Sequence, residues 1–421
     1  MSFQQGLSGL NATSKNLEVI GNNIANAGTF GAKSSRAEFS DAYASALNGA
    51  GTNAIGIGTR LAAVAQQFSQ GNVTATDNSM DLAINGAGFF QVTDGVNPTM
   101  YTRNGQFKLD RDGFIINNDR LQLVGYPADN MGVIQPGQAV PLRLPTAGIS
   151  PNATDEITIE MNLDARVGTT LPASAPAIVF SDASTYNNAT SLTVYDDKGQ
   201  DIALTYYFQK AATDTWNVYV TANGQPISTD ASGNPVATSQ IQFPANGGTP
   251  TAPAGPVSFD IPASTNSLGA QTLPLTGVQL NLTGATQYGS AFGVTDIVQN
   301  GYAPGQLSGI SIEANGIVMA RYSNGQSKPA GQIELANFRN PQGLQPMGGN
   351  AWARSYTSGD PVLGVPSESN MGVLQAGALE ESNVDLTAEL VNMITAQRTY
   401  QANAQTIKTQ DQVLQTLVNL R

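Results

Sequence analysis

The 421-residue chain contains no cysteine and no histidine. The first absence excludes a disulfide framework, a thiolate nucleophile and a cysteine-ligated zinc. The second removes the imidazole base on which Ser-His-Asp and Cys-His catalysis depend. Charge is also scarce: Asp, Glu, Lys and Arg make up 12% of residues, against about a quarter in an average soluble domain. The formal net charge is -12, which excludes a chain that grips nucleic acid, because phosphate contacts need clustered Lys and Arg. No apolar run reaches the ~18–20 residues of a membrane span. Residues 1–10 carry neither the basic start nor the apolar stretch of a cleaved secretory signal. The polar surface must come mostly from Asn, Gln, Ser and Thr. Weak charge repulsion of this kind suits dense association with neighbours.

What is present is concentrated at the two ends. Phe3, Leu7, Leu10, Leu17 and Ile24 fall on a 3-4 spacing, with Ser14 and Gly21 in the gaps, and so form one stripe along a helix. Asn22, Asn23, Asn26 and Gly28 then supply the residues that end helices. At the other end, Ser382-Asn383-Val384-Asp385 fits a capping box, with Ser382 as N-cap and Asp385 reaching back to its amide. Leu386, Leu390, Met393, Gln397, Tyr400, Ala404, Ile407, Leu414 and Val418 keep heptad spacing, interrupted by Asp411. Val413, Leu417 and Leu420 widen the stripe, and no Pro or Gly follows Gly377. A helix of about forty residues would be about 60 Å long.

Two such helices could pair within one chain. Their lengths differ, however, so much of the C-terminal stripe would stay uncovered. Their other faces carry Asn, Gln, Thr and Ala rather than Lys and Glu, as though further protein covers them. A solitary pair would be marginal and would gain stability on association. The predicted assembly interface therefore comprises Phe3, Leu7, Leu10, Leu17, Ile24, Leu386, Leu390, Met393, Tyr400, Ile407, Leu414, Leu417 and Val418.

Between the ends the pattern changes from helical to extended. Ile157, Ile159, Met161 and Leu163 alternate with polar residues, as a half-buried strand should. Asn223-Gly224, Asn315-Gly316 and Asn324-Gly325 separate alternating runs and predict hairpins. Asp196-Asp197-Lys198-Gly199 lies between two further runs and reads as a turn. The prediction is a mainly β chain with α-helical termini. The helices form a coiled-coil-like layer, and two antiparallel β-sandwich or barrel domains lie between them, the second inserted in the first. The expected boundaries are 1–30 and 379–421 for the helical assembly domain, and 31–79 and 367–378 for a linker region with short ordered pieces. The first β domain takes 80–145 and 291–366, and the inserted domain 146–290.

Sites for chemistry are weak. Asp110-Arg111-Asp112-Gly113 lacks the glutamate that a calcium loop needs at its twelfth position, where Leu121 stands, so a tight turn is preferred. Asp196 and Asp197 could be paired catalytic acids, but neighbouring carboxylates beside a Lys-Gly turn read as solvated. Gly56-Ile57-Gly58 lacks the third glycine of a dinucleotide site. Asn11-Ala12-Thr13, Asn72-Val73-Thr74 and Asn188-Ala189-Thr190 match glycosylation acceptors at a rate that chance explains in a chain rich in Asn and Thr. No catalytic, metal or cofactor residue is predicted.

Several motifs, in order, resemble the bacterial flagellar rod and hook family. The run Asn16-Leu17-Glu18-Val19-Ile20-Gly21-Asn22-Asn23-Ile24-Ala25-Asn26, with Thr29-Phe30-Gly31-Ala32-Lys33, is similar to its N-terminal signature, although the family usually has an aromatic where Ala32 stands. Asp81-Leu82-Ala83-Ile84-Asn85-Gly86-Ala87-Gly88-Phe89-Phe90 resembles the start of its first β domain. Glu380-Glu381-Ser382-Asn383-Val384-Asp385 and Ala396-Gln397-Arg398-Thr399-Tyr400-Gln401-Ala402-Asn403 resemble its C-terminal signature. The large insertion favours the hook members over the shorter distal rod members. The resemblance implies a helical homopolymer, a tube lined by the terminal helices that acts as a flexible coupling for torque. It implies export without a cleaved signal through the flagellar export apparatus. The implied partners are the chain itself, distal rod, hook cap and hook-filament junction proteins. Against it stand two other assignments, a distal rod component and a secreted β-rich glycan-binding protein or hydrolase; fold class alone does not exclude the latter.

Overall fold

The computed structural model describes residues 2–42, 56–129, 131–172 and 176–419, with side chains at 3–42 and up to 416 at the two ends. Leu420 and the stretch 43–55 lie outside the described residues. The chain forms two compact units. The first comprises Met1–Thr146, Gly309–Arg321 and Ser327–Arg421, and the second Ala147–Ser308 and Tyr322–Gln326.

The first unit begins with helix α1 (Ser2–Ala25). Its end is set by Asn26, whose N–H is shared between the carbonyls of Asn22 and Asn23 at 3.1 Å each. An antiparallel ribbon follows, made of β1 (Ser35–Ala42) and β2 (Gly58–Gln66), in the stretch where the sequence predicts a linker. Strand β3 (Val73–Ala75) pairs with Ala378–Glu380, and β4 (Leu82–Asn85) pairs with Val373–Ala376. The N- and C-terminal limbs thus leave the β domain side by side, which brings the two terminal helices together. Strand β5 (Phe89–Thr93) pairs with β6 (Met100–Thr102), Gln122–Pro127 and Leu335–Asn337 in the unit's main sheet.

The apolar alternation of these strands builds a core of Leu82, Ile84, Phe90, Val92, Phe107 and Leu123 among others. Phe89, Tyr101, Phe338 and Trp352 form a second cluster. Phe68 closes over it, with ring centroids 5.6 Å from Phe89 and 5.3 Å from Trp352, both edge to face. The chain leaves this unit through α2 (Leu386–Asn419), 34 residues or about 51 Å at ~1.5 Å per residue.

The second unit packs two five-stranded sheets around Ile157, Ile159, Met161, Leu163, Tyr206, Phe208 and Trp216. The alternating strand predicted at 157–163 is Glu156–Asp164, with its apolar side chains inward. It departs from an all-antiparallel arrangement, because it pairs in parallel with Leu275–Asn281 and Thr286–Tyr288. It also pairs antiparallel with Gly293–Gln299, so residues 291–308, which the sequence assigns to the first β domain, belong to this unit.

One five-residue loop recurs six times among the described residues, starting at Asp110, Asn117, Asp129, Asp196, Asp230 and Asn266. In each, the first side chain accepts hydrogen bonds from the N–H groups two and four residues on. The fourth residue needs a positive φ, which glycine provides in five loops, while Arg120 adopts 63° in the sixth.

Candidate assembly interface

Helices α1 and α2 run antiparallel in the first unit, and their seam is mostly small and polar on the α1 side, with Ile407 of α2 reaching Gly6. A Cβ on Gly6 would lie 3.0 Å from Ile407, and one on Gly9 only 2.9 Å from the Asn403 amide. Asn23 Nδ2 donates to Glu389 Oε1 at 3.0 Å. Facing positions therefore sum to 412–413. The face of α1 turned to α2 reads Gly6, Gly9, Thr13, Ile20 and Asn23, with Gly6, Thr13, Ile20 and Asn23 buried. Glycines let the two backbones approach closely, while Thr and Asn add polar contacts with little apolar burial. On the other side α1 lies on the ribbon: Gln5 Nε2 donates to the Gly56 carbonyl at 2.6 Å, and Ser8 fills the space over Gly58, whose φ of 132° and missing Cβ admit it.

Most of the predicted apolar residues flank this seam, while Met393 and Ile407 lie on the face of α2 turned to α1. Phe3 and Leu7 are exposed, and Leu10, Leu17 and Ile24 are half-buried. On α2, Met393 and Ile407 are partly covered, whereas Leu386 keeps 47%, Leu390 45% and Leu414 55% of its surface, and Tyr400 is also exposed. Leu417 and Val418 fall where side chains lie outside the described residues. Val391, Ile394 and Val413, off the predicted row or at its margin, are exposed too. At about 25 cal/mol per Å2 of apolar surface, each uncovered Leu, Ile or Phe side chain is costly to leave in water. A groove of about 700 Å3 lies between α1, α2 and the ribbon, and over half of its lining residues are Asn, Gln, Ser or Thr.

The base of the helix pair is held by buried polar groups that composition did not reveal. Glu380 bridges Lys33 Nζ at 2.5 Å and Arg103 Nη1 at 3.1 Å, and also accepts the Gly71 N–H at 3.0 Å. Both carboxylate and ammonium side chains are fully buried. Burial pushes the Lys33 ammonium and the Arg103 guanidinium below their usual values, and Glu380 opposes that shift in both. Two cations thus share one anion. Nearby, Asn383 accepts the Ser34 N–H at 2.7 Å and donates to the carbonyls of Gln67 and Ser69. Asn23 meets both the N–H and the carbonyl of Ser35, at 2.8 and 2.7 Å. The start of the segment predicted as a linker is thus stitched to the C-terminal limb.

Two sequence assignments change here. The N-cap of α2 is Asp385, whose Oδ1 accepts the N–H groups of Thr387 and Ala388 at 2.9 and 3.1 Å, and not Ser382. One residue before the helix, Asp385 is placed where it caps directly. Asp196 is fully buried rather than solvated, because it closes its own loop and its Oδ2 accepts the Leu273 N–H at 2.8 Å. Asp110 closes the tight turn preferred over a calcium loop. Among the described residues there is no group of three or more acidic side chains placed to hold a metal, and no helix long and apolar enough to cross a membrane.

Relatives match this chain in sequence from end to end. The chain is 41% identical over 428 residues to the flagellar hook protein FlgE of Salmonella typhimurium, and 40% over 425 residues to that of Escherichia coli K12, with all of each chain covered. The chain belongs to the flagellar hook protein family. The more distant hook protein of Borreliella burgdorferi is 31% identical, over all of this chain and 99% of its own.

Family models match in the same order: flagella basal body rod protein at 3–33, flagellar hook protein FlgE/F/G D1 domain at 83–170, flagellar basal body protein FlaE D2 domain at 129–302, and flagellar basal body rod FlgEFG protein C-terminal at 375–420. The crystal structure of Helicobacter pylori flagellar hook protein FlgE2 shares the fold, with a TM-score of 0.53 at 14% identity over 73% of this chain and all of that one. Coverage of hook proteins from end to end sets aside the distal rod assignment, which required a shorter middle.

Proposed function

We propose that this chain is the structural subunit of a flagellar hook, polymerising into a flexible tube that passes motor torque from rod to filament. The observation that carries this is a pair of terminal helices joined through Gly, Thr and Asn while their Leu, Phe and Ile side chains remain uncovered. A weak internal seam beside unsatisfied apolar rows is the pattern of helices whose stability comes from neighbours. A contact of one row with the other that repeats with the same offset from copy to copy is heterologous, and where its rotation does not close it grows an open helix. Bending during rotation then requires contacts that switch between packings of near-equal energy, which a low-charge surface favours.

Distal rod, hook cap and hook-filament junction proteins are the proposed partners beyond the chain itself. Export through the flagellar apparatus without a cleaved signal is the proposed route. The role is structural, with no reaction assigned. A chain ending after Asp385 keeps Glu380 and Asn383 but lacks α2. Electron microscopy should find tubes from the intact chain and none from the shortened one, with the β signal in circular dichroism retained. Equal tube formation by both would overturn the proposal.

A further inference from the structure

Helix α2 outruns its partner. With facing positions summing to 412–413, Ser2, the first residue of α1, stands opposite 410–411, and the remaining turns of α2 up to Asn419 extend past it. The face that α2 turns to α1 carries Met393, Ala396, Asn403 and Ile407, and Leu414 continues it seven residues after Ile407. Within the chain Leu414 retains 55% of its surface and Val413 the same.

We infer that these free turns dock on the α1 helix of a second copy set alongside and shifted along the helix axis, against its Phe3–Leu7–Leu10 row. In that copy the Gly6–Gly9 face is already filled by its own α2, so the flanking apolar row is what remains of α1 to receive a helix. Phe3 and Leu7 are exposed there. The chemistry matches on both sides. Residues 2–14 of α1 contain no charged side chain, and the free turns of α2 contain only Asp411 up to Asn419. A charged partner would gain nothing from this surface, whereas an apolar helix seats on it and removes Val413 and Leu414 from water. Row and overhang lie at the same end of the helix pair, so a shift along the axis, repeated from copy to copy, is what keeps the contact from closing into a two-fold dimer. It presupposes the polymer proposed above and says which turns make the joint between copies.

The absence of cysteine makes the test clean, since introduced thiols are the only ones present. A Leu7→Cys chain and a Leu414→Cys chain, distinguishable by mass, are mixed, assembled and oxidised with copper phenanthroline. The expected product is a disulfide dimer of one chain of each kind, formed in tubes and absent from dilute monomer. Tubes that yield no such dimer, or only 7–7 or 414–414 dimers, would overturn the joint while leaving assembly intact; an unmodified chain that never forms tubes would remove both. Should a thiol chain fail to assemble, Leu414→Asp alone should abolish tubes with monomer helicity unchanged, and Leu7→Lys added to it should restore them. Normal tubes from Leu414→Asp would count against the joint.

Discussion

Replacing Glu380 by alanine leaves the Lys33 ammonium and the Arg103 guanidinium buried without a counter-charge, and the Gly71 N–H without its acceptor. Breaking a buried ion pair from one side costs about 3–5 kcal/mol, and the orphaned N–H adds about 1 kcal/mol or more. The lower figure alone is more than a hundredfold in the folding equilibrium, at about 1.4 kcal/mol per tenfold. The chain offers a unit-specific reporter, because its two tryptophans are divided: Trp352 lies in the first unit and Trp216 in the second. In a Trp216→Phe background, urea unfolding followed at Trp352 should show a lower midpoint for Glu380→Ala. In a Trp352→Phe background, the Trp216 transition should stay put. Adding Lys33→Met should recover about 1–2 kcal/mol, since one uncompensated cation is gone. A loss below about 1 kcal/mol at the Trp352 transition would refute the reasoning, because that is the scale of an exposed pair.

Gly9→Leu must push α1 away from Asn403, and should lower helicity at a cost of about 1–3 kcal/mol; Gly9→Ala should be near neutral, because the Asn403 amide can swing and alanine gains about 1 kcal/mol in helix propensity. Circular dichroism of the monomer separates the two. Asp385→Ala should cost about 1 kcal/mol as a lost N-cap, measured by thermal melting of the helical signal, and Ser382→Ala distinctly less. Arg166 holds the Asp164 carboxyl down at about 2. The folded value is depressed, so its stabilisation is present above the unfolded value of about 3.9 and fades as pH falls towards 2. Asp164→Asn should flatten the acid loss of the Trp216 transition across that window.

The terminal helices were legible because apolar residues at a 3-4 spacing act locally, and in α2 so does the lack of Pro and Gly. The strand at 156–164 was legible for the same reason, through its alternation of two. Pairing partners were not. Whether Glu156–Asp164 meets Leu275–Asn281 in parallel depends on a long-range return of the chain that no local pattern encodes. The α1–α2 seam was overlooked because Gly6, Gly9, Thr13 and Asn23 are weak hydrophobic signals, although Gly6, Thr13 and Ile20 recur every seven residues. Glu380, Lys33 and Asn383 stood within the family motifs, but only the structure brings Arg103, 277 residues from Glu380 in sequence, into their cluster. The recurring loop also had a readable sign, an Asp or Asn three residues before Gly, and Asn117 with Arg120 shows why that sign is incomplete.

Leu386 and Leu390 stand exposed on the first turns of α2, where acidic side chains suit the helix dipole. Changing both to Asp should therefore leave the monomer folded and take away only what another copy would cover. Electron microscopy of the full-length double variant is the most direct test that the ends drive polymerisation. The expected result is a monomer with unchanged circular dichroism and no tubes. Tubes of ordinary length and diameter from that variant would contradict it.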